Sequence, residues 1–155
     1  MATASQQKET DSTTPRKVIV KTMTVNRSAD TVFKFFKNIK NMESGGILKD
    51  ITKGEEEDDD WWKFHTPTGE AKLKLSRVEQ ELGVIDHVFV GNGLVWHVYV
   101  RIVPNQHGST TSWTFIRPDG LDDKQFEEQL SVFDTEIEGW KKALESTQVS
   151  DTKHY

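Results

Sequence analysis

Six large apolar side chains, Phe126, Leu130, Phe133, Ile137, Trp140 and Leu144, recur at steps of four and three near the end of the chain. That spacing places all six on one stripe of an α-helix. Asp122 stands where an N-cap belongs, and Gln125 three residues on is its capping-box partner. The predicted helix runs about 24 residues, or ~36 Å at 1.5 Å per residue. A stripe of that length needs a second layer to cover it. Gly139 lies inside the helix at a cost of about 1 kcal/mol relative to alanine. It marks a close approach, a bend, or nothing at all.

The upstream sequence offers a sheet as that layer. Val18 to Val25 alternates and is β-branched, which predicts a strand. Ser28 supplies an N-cap, Asp30 lies in the first turn, and Val32, Phe33, Phe36 and Ile39 follow at helical spacing. Gly45-Gly46 breaks that segment. Six further strands are predicted at about 47–53, 60–66, 70–78, 82–90, 94–103 and 110–117. The separators are an acidic loop, Pro67-Thr68-Gly69, Gly91-Asn92-Gly93, and Pro104 to Ser109. Connections this short imply antiparallel neighbours.

The 155 residues suit one domain, and a chain of this size can bury roughly 68–70% of its unfolded surface. Polar ends dilute the hydrophobic fraction to 34%, while apolar residues are dense between Val18 and Leu144. Residues 1–16 and 147–155 are expected to be disordered tails flanking a domain at 17–146. The net charge of −5, with both signs interspersed, argues against nucleic-acid binding. The absence of cysteine removes disulfides and thiolate chemistry. The polar N-terminal stretch is unlike a secretory signal, and no apolar run approaches the ~20 residues of a membrane span. The expectation is a cytoplasmic protein without integral membrane association. The acidic run from Glu55 to Asp60 is read as a solvated hairpin loop, since it lacks the ligand spacing of a calcium loop.

The order strand, helical segment, six antiparallel strands and long final helix resembles the helix-grip fold. The chain resembles the SRPBCC superfamily, which includes START lipid-transfer domains, birch-pollen-allergen-like proteins and polyketide cyclase/dehydrase-like proteins. The resemblance covers about residues 17–146. It is carried by Val25-Asn26-Arg27-Ser28-Ala29-Asp30-Thr31-Val32-Phe33, with Trp62-Lys63-Phe64-His65-Thr66-Pro67, Gly83-Val84-Ile85-Asp86-His87, Val103-Pro104-Asn105 and Gln125-Phe126. The chain looks closest to the polyketide-cyclase-type branch. The resemblance implies an α+β fold, a seven-stranded curved antiparallel sheet wrapped around the long C-terminal helix. It implies no shared catalytic set. The Gly-x-Gly-Gly-x-Gly loop of the pollen-allergen branch is absent.

Strand alternation sorts the expected inner face from the outer one. Lys63, which shares the opposite face with Trp61 and His65, argues that Trp62, Phe64 and Thr66 point inward. Ala71, Leu73, Leu75 and Arg77 form the next inner row. Ile85, His87 and Phe89 are assigned inward in a strand that is apolar on both faces. Leu94, Trp96, Val98, Val100 and Ile102 form an apolar row, leaving His97, Tyr99 and Arg101 outside. Trp113, Phe115 and Arg117 complete the set. With Phe126, Leu130, Phe133 and Ile137 from the helix, these rows predict an aromatic pocket with Arg77, His87 and Arg117 as its polar members. The bland alternative has the arginines solvated or paired at the surface, His87 structural, and the tryptophans plain core.

Several catalytic constellations fail on geometry. Asp86 and His87, as strand neighbours, point to opposite faces. No Gly-x-Ser-x-Gly or phosphate loop is present. His65 and His97 are expected outside and His87 inside, which leaves no metal set, and no cofactor is implied. Three functions then compete. The first is binding or transport of a hydrophobic small molecule: a lipid, a polyketide or an aromatic metabolite. The second is a cyclase or dehydratase in which Arg117 or Arg77 stabilises an enolate and His87 moves a proton. The third is a protein-interaction module of the chaperone-ATPase-activator type, using Trp61 and Tyr99 on the outer face.

Overall fold

The computed structural model describes residues 14–54 and 60–146. The acidic run except Asp60, the C-terminal tail and most of the N-terminal one lie outside the described residues.

Strand β1 (Val18–Val25) leads into helix α1 (Ala29–Lys37), and a 3₁₀ segment (Ile39–Gly45) follows. Strands β2 (Lys49–Lys53), β3 (Trp62–Thr66), β4 (Gly69–Glu79), β5 (Val84–Gly91), β6 (Leu94–Asn105) and β7 (Gly108–Ile116) precede helix α2 (Asp123–Ser146). The strands form one antiparallel sheet in the order β1-β7-β6-β5-β4-β3-β2. The first strand thus closes against the last, and every other strand pairs with its sequence neighbour. The architecture is α+β with a curved sheet around the C-terminal helix, as the sequence implies.

Local chemistry sets the element ends. Ser28 caps α1 by accepting from the Thr31 N–H at 3.2 Å. The expected capping box at α2 forms in full: Gln125 N–H donates to Asp122 Oδ1 at 2.8 Å, and Asp122 N–H donates to Gln125 Oε1 at 2.9 Å. Asn92 and Gly93 join β5 to β6 with φ of 54° and 74°, the paired positive φ of a two-residue type I′ hairpin. One separator differs from expectation. Pro104 lies within β6, opposite Ser109, beyond the point where β5 stops pairing with β6. A proline without an N–H is tolerated at such an edge, so the turn contracts to Gln106 and His107.

The expected stripe faces inward. Phe126 and Trp140 are fully buried, Leu130, Ile137 and Leu144 nearly so, and Phe133 is half-buried. Two anchors fix the helix. At its start, the Arg117 guanidinium donates to the Leu121 carbonyl at 2.5 Å and pairs with Asp123 at 3.0 Å. At its end, buried Arg27 donates to the Leu144 carbonyl at 2.6 Å, a cation placed where the helix dipole favours one. In the middle, Gly139 passes the 3₁₀ segment closely enough that an added Cβ would lie 2.4 Å from the Ser44 carbonyl oxygen. Trp140 Nε1–H donates to the Met42 carbonyl across the same contact at 3.2 Å. Of the readings open for Gly139, close approach is the one observed.

Candidate functional site

Sheet register brings inner-face side chains into two lateral rows. Leu75, His87, Val98 and Phe115 are successive partners across β4, β5, β6 and β7. Leu73, Phe89 and Trp96 form the parallel row beside them. Helix α2 lies over both and presents Gln129, Leu130, Val132, Phe133 and Glu136, while Met42 and Leu48 close one side. A chamber of about 150 Å³ remains between these surfaces. A wider vestibule of about 400 Å³ shares Leu48, Phe89, Trp96, Gln129, Val132 and Glu136 with it. The β3–β4 turn, the Asn92 turn and the exposed Glu128 form the vestibule's outer rim.

Of the residues expected to face a ligand, His87, Trp96, Val98, Phe115, Leu130 and Phe133 line the chamber. Others serve the core. Trp113 is enclosed by Phe36, Trp140 and Phe133, with ring centroids 5.3–5.6 Å away. This aromatic plug fills the grip at the Trp140 end. Phe126 stacks on Trp96 at 5.9 Å and Ile137 is packed in the core, both outside the described lining of the chamber. Phe64 is buried with its ring 5.6 Å from Phe89, one side chain removed from the chamber. Leu75 is half-buried in its row beside His87. Trp62 lies near the β2 edge with the Lys53 ammonium 5.6 Å above its ring.

Both arginines depart from expectation. Between Leu75 and Arg77 the β4–β5 register shifts by one residue, leaving Ser76 as the extra residue of a bulge. Because side chains alternate with period two, the bulge turns Arg77 to the outer face, where it pairs with Glu79. Arg117 lies just past β7 and is spent on the start of α2, as described above. Neither guanidinium reaches the chamber, so a mechanism in which one of them holds an enolate has no support in this geometry.

The polar groups that do reach the chamber are His87, Gln129 and Glu136. Burial lowers the His87 pKa to about 4, with the neighbouring Asp86 charge opposing the shift, so the imidazole is neutral at pH 7. Burial also raises the Glu136 pKa to about 8, so its carboxyl is mostly protonated there. Asp86 points to the other side of the sheet, where its Oδ1 accepts from the Val100 N–H at 2.8 Å and from Arg101 at 2.6 Å. Exposed His65 on the outer face bonds Asp50 at 3.1 Å. Also outside, Trp61 is half-covered by the ammonium groups of Lys72 and Lys74, at 4.5 and 5.1 Å.

Glu136, Gln129 and Val132 were not among the expected site residues. A signal for them exists: Gln129, Val132, Phe133 and Glu136 fall at i, i+3, i+4 and i+7 and so share one flank of the helix. Following only the apolar stripe passes over it.

No family model and no curated protein sequence matches the chain. Solved structures do share its fold. Ara h 8.0201 superposes with a TM-score of 0.65 at 13% identity, over 84% of this chain and 99% of that one. An uncharacterized protein from Bacillus thuringiensis gives 0.61 at 12% identity, over 83% of this chain and 98% of that one. DynU16, a protein in the dynemicin biosynthetic locus, gives 0.64 at 13% identity, over 84% of this chain and 48% of that one. All have SRPBCC-type folds, and this chain has the same helix-grip architecture. No helix among the described residues is long and apolar enough to cross a membrane.

Proposed function

We propose that the protein binds a small hydrophobic molecule between α2 and the inner face of the sheet. The observation that carries this reading is the pair of adjoining cavities, chamber and vestibule, which share six wall residues. The vestibule alone reaches the roughly 300–1,000 Å³ typical of ligand sites, and the chamber alone does not. The expected occupant is therefore compact: one end enters beside His87 and Phe115 while its body lies against Phe89, Trp96 and Val132. The aromatic plug around Trp113 leaves no room at the far end for a long chain, which favours an aromatic metabolite over an extended lipid. The folds of Ara h 8.0201 and DynU16 are consistent with such a pocket. Affinity would come from apolar burial at about 25 cal/mol per Å², less the cost of ordering the ligand.

The test uses N-phenyl-1-naphthylamine, an uncharged aromatic probe whose fluorescence rises in apolar surroundings. Saturable binding is expected, and Val132→Trp should abolish it. Val132 is 46% exposed, so the larger side chain closes the mouth without entering the core. A wild-type protein that gives no saturable signal while melting cooperatively would overturn the proposal.

A further inference from the structure

The walls of chamber and vestibule carry an uneven charge. Their described ionisable side chains are Glu70 from β4, His87 from β5, and Glu128 and Glu136 from α2. No described lysine or arginine faces either space. Glu136 occupies the junction, where it lines both, and its root is fixed by the close passage of Gly45. No described group hydrogen-bonds or ion-pairs with its carboxyl, and burial alone accounts for its raised pKa. A carboxyl in that position lacks the partner that buried charges ordinarily have. The walls around it are aromatic: Phe89, Trp96 and Phe133.

Resting on the small-molecule reading above, we propose that the site selects amphiphilic amines, with a protonated amino group against Glu136 and an aromatic body against Trp96 and Phe89. An ammonium supplies the counter-charge that the protein does not, and aromatic faces attract cations in addition to burying the ligand body. Neutral His87 does not repel the cation and offers a ring nitrogen as acceptor. A carboxylate of the same shape would meet the Glu70 and Glu128 charges at the rim, would have to hold Glu136 protonated, and would find no cation. Fatty acids and aromatic acids are therefore disfavoured ligands.

The test compares three probes of matched size, 2-phenylethylamine, 2-phenylethanol and 3-phenylpropanoate, by calorimetry on the full chain at pH 7.5. The amine should bind on the order of tenfold more tightly than the alcohol, equivalent to about 1.4 kcal/mol, and the carboxylate most weakly. Its binding should release a proton as Glu136 ionises, which is read by changing to a buffer of different ionisation enthalpy. Glu136→Gln should bring the amine to within about threefold of the alcohol, the readout being the amine-to-alcohol ratio within one protein. Glu128→Gln, at an exposed rim position, should matter less. An alcohol that binds as well as the amine, or a carboxylate that binds best, overturns amine selectivity while the small-molecule reading stands. If none of the three binds and N-phenyl-1-naphthylamine also fails, both fall. The wild-type ranking decides the matter even if the Glu136→Gln substitution were to unfold the chain.

Discussion

Gly139 of α2 lies directly against the Ser44 carbonyl, at a distance that leaves no space for a side chain. In an exposed helix, Gly→Ala would add about 1 kcal/mol of stability. Here the methyl group would meet backbone on the 3₁₀ segment, Ser44 O at 2.4 Å and Gly45 Cα at 2.9 Å. Helix and segment would have to separate, straining the Trp140–Met42 bond and widening the chamber wall. Gly139→Ala should therefore lose about 1–3 kcal/mol net in urea denaturation. Stabilisation of the kind seen in an open helix would contradict the close approach.

Arg117 was expected to face a ligand, and the structure gives it a different task. It holds the Leu121 carbonyl and the Asp123 carboxylate, and so sets where α2 begins. Arg117→Met, which keeps most of the stem, should cost about 1–2 kcal/mol of stability. It should leave N-phenyl-1-naphthylamine affinity unchanged. A weakened probe with unchanged stability would return Arg117 to the pocket.

Asp86 completes the β5–β6 ladder with its side chain. Its Oδ1 takes the buried Val100 N–H in a stretch where no β5–β6 residue pairs lie between Val84–Arg101 and His87–Val98. Asp86→Ala should cost about 2–3 kcal/mol by stranding that donor, whereas Asp86→Asn retains an oxygen acceptor and should cost less. Equal losses for the two would mean that the charge pairing with Arg101 at 2.6 Å matters more than the backbone bond.

Much of the fold was legible because it follows from local periodicity. The steps of three and four from Phe126 to Leu144 specified α2, and the Asp122–Gln125 pair specified its start. Alternation placed Trp96, Val98 and Phe115 on the inner face. Illegible features came from events that alternation does not encode. The bulge at Ser76 leaves no mark in Leu75-Ser76-Arg77-Val78, since every residue there is compatible with a regular strand. Arg117 continues the alternation of Trp113 and Phe115 in sequence, but β7 ends at Ile116, so the pattern no longer governs it. Trp113 does point inward. That it serves a plug depends on Phe36 and Trp140, contributed by two separate helices. Glu136 was hidden because a charged residue beside an apolar stripe ordinarily faces water.

His87 and Glu136 make the pH dependence of stability a test of the chamber's dryness. Glu136 titrates near 4.5 when unfolded and at about 8 when folded. Between those values the native state holds a proton that the unfolded chain has released, so stability falls as pH rises and the contribution is gone above about 8. His87 titrates near 6.5 when unfolded and at about 4 when folded. Between those values the unfolded chain holds the extra proton, so stability falls as pH drops from 6.5 through 4. From 4.5 to 6.5 the two slopes oppose one another, and from 6.5 to 8 that of Glu136 stands alone. Each slope is at most about 1.4 kcal/mol per pH unit. Subtracting the Glu136→Gln curve from the wild-type curve removes groups common to both, such as His65 on the outer face. The difference should decline steadily between pH 4.5 and 8 and flatten above. The Glu136→Gln protein itself should gain stability with pH from 4 to 6.5, exposing the His87 contribution. A difference curve flat across the whole range would mean that Glu136 is solvated in the free protein, which would remove the unpaired carboxyl on which amine selectivity depends.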